Sequence, residues 1–150
     1  MTTTSTEVLN DLIEINNDRI KGYQLALEDL QSGDADLKAL FSAMVEQTKK
    51  FNEDLAGYIA GAGDEVNRTS TALGALHRAW IDVKATFSGN DRKSILEECE
   101  RGEDATKKAY NDALSEGYKL TPQEKDLVSK QAAAMQENHN KIKALRDAEK

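Results

Sequence analysis

Apolar residues return at helical spacing through four stretches of this chain, each about seven turns long. In the first, Leu9, Leu12, Ile13, Asn16, Ile20, Tyr23, Leu27 and Leu30 fall on one face. In the second, the face is Leu37, Leu40, Phe41, Met44, Thr48, Phe51, Leu55 and Tyr58. The third uses Ile95, Cys99, Gly102, Thr106, Tyr110 and Ala113, with Leu96, Ala109 and Leu114 alongside. The fourth uses Val128, Gln131, Met135, Asn138, Ile142 and Leu145. A period of 3.6 held this long cannot place its apolar residues on one side of a strand. The chain has a single proline, Pro122, so nothing breaks the four stretches internally.

The ends of the stretches carry helix punctuation. The pattern predicts helices over residues 6–31, 36–62, 91–116 and 122–147, with a shorter one over 72–87. Thr4-Ser-Thr-Glu7 fits a capping box, and Ser32-Gly33 fits a helix end followed by Asp34 as the next cap. Asn90 is placed to cap the third helix, and Gly117 to close it. Thr121-Pro122-Gln123-Glu124 gives three agreeing start signals: a hydroxyl N-cap, proline at the first helical position, and glutamate at the third. Lys141, Lys143 and Arg146 suit the negative end of the last helix dipole. Residues 1–5 read as a flexible tail, and 6–150 as one domain.

The short link between the first two helices makes an antiparallel hairpin, and so does the link between the last two. The long connection between these hairpins has room to cross the bundle. That gives an all-α, ferritin-like four-helix bundle with a short helix in the crossover. In that crossover helix, Leu73, Leu76, Trp80, Val83 and Phe87 form a narrow apolar stripe. His77 and Trp80 are expected to seat it on the bundle.

Charge and cysteine usage exclude several classes of function. The net charge of -7 disfavours nucleic acid and anionic membrane as partners. No apolar run approaches transmembrane length, and the Thr-rich start lacks the order of a signal peptide. A cytoplasmic protein is expected. Asn67-Arg68-Thr69 matches a glycosylation tripeptide but has no secretion route. Cys99 is the only cysteine, which removes disulfides and Cys-pair metal sites and reads as a small buried side chain.

The third helix, around residues 95–110, carries the acidic groups that could matter chemically. A ferritin-like two-metal centre takes a carboxylate from each of two helices and a Glu-x-x-His pair from each of the other two. The chain has two histidines, His77 and His139, and neither has glutamate three residues before it. Gly74 and Gln136 stand there instead. Glu137 points about 160° away from His139 round the helix. If a site exists, its candidates are Glu14, Asp18, Glu46, Glu100, Glu103 and His139. The preferred reading is a polar core layer of Asn16, Arg19, Thr48, Glu103, Gln131 and Asn138. In that layer Arg19 pairs with Glu103 or Glu100, and His139 is a hydrogen-bonded flank residue. No nucleophile triad and no phosphate-binding glycine loop is present.

Residues 9–18 (LNDLIEINND), 76–80 (LHRAW), 89–92 (GNDR), 95–103 (ILEECERGE) and 141–147 (KIKALRD) resemble an uncharacterised bacterial family. Its members are four-helix-bundle proteins, a domain of unknown function within the ferritin-like superfamily. The resemblance covers nearly the whole chain and implies the fold. It brings no established reaction, substrate or partner.

The chain therefore reads as a non-catalytic bundle of interaction or stress-associated type, with no cofactor. The alternative is a metal-binding protein, a di-iron or di-manganese carboxylate centre with oxidase or metal-handling activity. A monomer or homodimer is expected, with Leu25, Ile59 and Leu96 offering a weak contact.

Overall fold

The structure, a computed structural model, describes residues 5–61 and 91–149. Four long helices account for most of them: α1 (Ser5–Asp29), α2 (Ala35–Gly61), α3 (Arg92–Ser115) and α4 (Pro122–Ala148). There is no strand among the described residues. The crossover stretch 72–87, with His77 and Trp80, lies outside the described residues, as do the tripeptide at 67–69 and Asn90. The first helix begins at Ser5, one residue inside the stretch read as a tail.

The helices form where apolar spacing and end signals agree. At α4, Thr121 Oγ1 accepts from the Glu124 backbone N–H at 3.1 Å, and Glu124 Oε1 accepts from the Thr121 N–H at 2.8 Å. Two of the four orphan N–H groups at a helix start are thereby satisfied, with Pro122 needing none. At α3, Asp91 holds the N-cap position, and its carboxylate accepts from Ser94 Oγ rather than from the backbone. Gly117 does not itself close α3. It opens a 3₁₀ turn, Gly117–Lys119, that leads into α4.

Packing follows the two hairpins. Helix α1 pairs with α2, α3 pairs with α4, and α1 lies against α3 across the middle. The core is built from Leu9, Leu12, Ile15 and Tyr23 of α1, Phe41, Met44 and Leu55 of α2, Ile95, Cys99 and Tyr110 of α3, and Val128, Met135 and Ile142 of α4. The Tyr23 and Phe41 rings pack tilted, 5.0 Å between centroids. Cross-contacts run in opposite senses along α1 and α3: Arg19 meets Glu103, and Asn16 meets Tyr110. So α1 and α3 are antiparallel, and α2 and α3, consecutive in sequence, are parallel. That order is the ferritin-like one.

Ile59 and Leu96, expected on an apolar flank open to a partner, are instead fully covered within the chain. The buried faces of α2 and α3 are thus broader than the sequence pattern suggests, and α1 too is buried on more than one side. Thr6, Asn10 and Asp18 are as deeply covered as Leu9 and Leu12. Leu25 alone of the three stays half-buried.

One cation ties an end of the bundle together. Arg92, at the start of α3, reaches Asp34 at 3.1 Å, Asp36 at 2.6 Å and Glu149 at 3.3 Å. Asp34 also closes the α1–α2 turn by accepting the Gln31 N–H at 3.1 Å. Hydrogen bonding from Arg92 holds the Asp36 carboxyl down at about 2. A lowered carboxylate contributes stability that is present above its unfolded value of about 4. That contribution is lost as the pH falls through about 2. In a carboxyl-detected NMR titration of the folded protein, Asp36 should titrate near that low value. In Arg92→Gln it should return to the ordinary aspartate range.

Candidate functional site

The middle of the bundle holds charge. Arg19 comes from α1 and Glu103 from α3, and both side chains are 0% exposed. Arg19 Nε donates to Glu103 Oε1 at 2.8 Å. Arg19 Nη1 also donates to Thr48 Oγ1 of α2, and the Thr48 hydroxyl in turn donates to the Met44 carbonyl at 2.6 Å. The Tyr23 hydroxyl, one turn along α1 from Arg19, donates to the same Glu103 Oε1. The Arg19 guanidinium lies 5.3 Å from the centroid of the Tyr23 ring, within range of a cation–π contact.

The local sequence explains the meeting. Arg19 and Tyr23 are four apart, as are Glu103 and Cys99, so each helix turns two of these side chains to the same side. Thr48 can sit in a helix interior because its hydroxyl bonds back to the carbonyl four residues before.

Ionisation is fixed by these contacts. Burial works against the Arg19 charge, but its neighbours, the Glu103 carboxylate foremost, together more than offset it and hold the guanidinium above its ordinary value. Burial pushes the Tyr23 hydroxyl well up, and the negative charge of Glu103 adds to the rise, so Tyr23 remains a donor. Burial does the same to the Cys99 thiol, again with Glu103 adding to it. A thiol kept protonated is a poor nucleophile.

A second polar string crosses all four helices beside the ion pair. Asn16 Nδ2 of α1 donates to the Tyr110 hydroxyl of α3 at 2.9 Å. That hydroxyl donates to Gln131 Oε1 of α4 at 2.6 Å, and Gln131 Nε2 donates to the Phe51 carbonyl of α2 at 3.2 Å. Nearer the surface, Asn138 Nδ2 donates to Gln47 Oε1 at 2.6 Å.

The six metal-site candidates are dispersed. Glu103 is in the core with Arg19. Glu100 pairs with Arg146 at 2.5 Å on the α3–α4 flank. His139 Nε2 meets Asp104 Oδ1 at 2.6 Å. Glu46 is exposed beside Lys49, Glu14 is half-buried, and Asp18 is buried on α1. Among the described residues no three His, Cys, Asp or Glu side chains converge on one point. The central layer supplies one carboxylate and a permanent cation bonded to it. Such a donor set does not fit a two-metal centre, which needs several anionic ligands around its ions.

Three participants escape a reading of the sequence. Tyr23 and Tyr110 fall on apolar faces and pass for core aromatics, though a buried hydroxyl always needs a partner. Asp104 is exposed and follows Glu103, so nothing singles it out as the partner of His139.

Unequal costs should follow from these contacts. Glu103→Gln leaves the guanidinium without its counter-charge and should destabilise the fold by about 3–5 kcal/mol. The double change Arg19→Met with Glu103→Leu should recover much of that loss, because packed apolar groups can replace a buried pair. Tyr110→Phe strips one partner from Asn16 and another from Gln131 and should cost about 1–3 kcal/mol. Urea denaturation of the four proteins measures all three. A double variant less stable than Glu103→Gln would refute the pairing.

No curated protein matches the sequence. Among solved structures, a mutant of Dps1 from Mycobacterium smegmatis is similar in fold, with a TM-score of 0.81. It is 12% identical, and the match covers 95% of this chain and 94% of that one. Residues 4–116 match the family described as a domain of unknown function, DUF2383. With three-quarters of its length matched and a ferritin-like four-helix bundle for its fold, the chain belongs to that family.

Proposed function

We propose that this chain is a non-catalytic ferritin-like bundle that acts by association, in a stress-related role in the bacterial cytoplasm. It carries no cofactor, binds no nucleic acid and works as a monomer or homodimer. The supporting observation is the pairing of Glu103 with Arg19, both wholly buried. A carboxylate in a bundle core requires a cation, and here the protein supplies its own. The net charge of -7 supports the absence of a nucleic-acid partner. No helix among the described residues is long and apolar enough to cross a membrane.

The alternative is iron or manganese binding, with oxidase or metal-handling activity. One observation favours it: Glu103 Oε2 is buried and has no hydrogen-bond partner among the described residues. Metal analysis separates the two readings. Protein purified without chelator should hold far less than one metal ion per chain. Adding Fe²⁺, Mn²⁺ or Zn²⁺ should leave its melting temperature unchanged. About two irons or manganese ions per chain, with a metal-dependent rise in Tm that Glu103→Gln abolishes, would establish the alternative instead.

A further inference from the structure

Three side-chain atoms of the central layer are buried and have no hydrogen-bond partner among the described residues: Asn16 Oδ1, Arg19 Nη2 and Glu103 Oε2. They belong to one place. Nη2 and Oε2 hang from the two carbons, Arg19 Cζ and Glu103 Cδ, that the Nε–Oε1 bond of 2.8 Å draws together. Asn16 stands three residues before Arg19, on the same side of α1. A buried polar atom left bare is costly, so each of the three calls for a partner.

They are held so that they cannot satisfy one another. To join Nη2 to Oε2 directly, the guanidinium or the carboxylate would have to turn. Arg19 Nη1 is bonded to Thr48 Oγ1, which is itself anchored on the Met44 carbonyl at 2.6 Å. Glu103 Oε1 takes a second bond, from the Tyr23 hydroxyl. The Asn16 amide is fixed from the other side of the bundle. Gln131 Nε2 donates to the Phe51 carbonyl, so Gln131 Oε1 faces the Tyr110 hydroxyl and accepts its proton. That hydroxyl accepts in turn from Asn16 Nδ2, which leaves Asn16 Oδ1 as an acceptor in need of a donor.

The chemistry of the three atoms selects their guest. It must accept from Nη2 and donate to Oε2 and Oδ1. A metal ion would suit the two oxygens and be repelled by the guanidinium, whereas an anion would suit Nη2 and be repelled by the carboxylate. Water is neutral and both donates and accepts, and a buried water typically makes about three such bonds. We infer that the central layer is a binding site for an ordered internal water, which accepts from Arg19 Nη2 and donates to Glu103 Oε2 and Asn16 Oδ1. The water joins the ion pair to the Asn16–Tyr110–Gln131 string, so the two layers form one network through all four helices. The inference rests on the proposed reading in taking Arg19, and not a metal ion, as the cation that faces Glu103. Its readout is the water itself, so a chain that holds no metal can still fail this test.

A high-resolution crystal structure of the full chain should show a density peak, with the electron count of a water oxygen, within hydrogen-bond distance of Nη2, Oε2 and Oδ1. In solution, magnetic relaxation dispersion of the water oxygen should count one more long-lived water in the parent than in Arg19→Met with Glu103→Leu, which lacks two of the three partners. Asn16→Leu removes only the third partner and leaves the ion pair whole. It should release the water about tenfold faster, the loss of one hydrogen bond. Melting curves check that each variant is folded, and Asn16→Leu alone carries the solution test if the double variant is not. A direct bond between Nη2 and Oε2 in the crystal, or a metal or other ion at the peak, would overturn the inference. So would a dispersion that is the same in the parent and in the folded variants.

Discussion

The buried ion pair between Arg19 and Glu103 sets the terms for the centre of this bundle. Two unit charges wholly removed from water lose several kcal/mol each in hydration. Their mutual attraction offsets that loss only with good geometry and further hydrogen bonds. The neighbouring positions follow from this requirement. Thr48 accepts from the guanidinium, and Tyr23 donates to the carboxylate. Each of these groups belongs to a different turn or helix, so the pair is complete only when α1, α2 and α3 are in register. The net gain in stability from such a pair is small, and its main effect is to penalise any slipped packing.

The second string has the same logic without charge. Asn16, Tyr110 and Gln131 link α1, α3 and α4, and the last bond reaches a carbonyl of α2. A slip of any helix by one residue would strand at least two buried polar groups, at about 1–3 kcal/mol each. Apolar stripes alone tolerate such slips, because Leu, Ile and Met fill space in many ways. Around these two layers the ferritin-like bundle has an interior that is specified rather than merely filled.

Most of the helices can be read from the sequence, because spacing and caps agree. The start of α4 is the clearest case: Thr121, Pro122 and Glu124 each point to the same residue. Other ends are less legible. Gly117 signals a helix end, but a 3₁₀ turn begins there, since local tightening also satisfies the last carbonyls. Arg19 and Glu103 can be picked out because each is a charge next to an apolar stripe. Their tyrosine neighbour cannot, since its ring fits the stripe and its hydroxyl is invisible to periodicity. Arg92 is likewise silent in sequence. Its three acidic partners, Asp34, Asp36 and Glu149, come together only when the α1–α2 turn, the start of α3 and the end of α4 share one end of the bundle. Ile59 and Leu96 mislead in the opposite direction. A helix wheel marks them as a flank, yet both are fully covered in the folded chain.

The account rests on the guanidinium as the cation that faces Glu103, and the Arg19 Nε–H proton reports on it directly. In an NMR correlation spectrum of the side-chain Nε–H groups, that proton should be a resolved signal. It should exchange with water far more slowly than those of the exposed arginines, and adding Fe²⁺, Mn²⁺ or Zn²⁺ should leave it in place. An Arg19 Nε–H that exchanges as fast as the surface groups would contradict the account, as would one displaced by a stoichiometric metal ion.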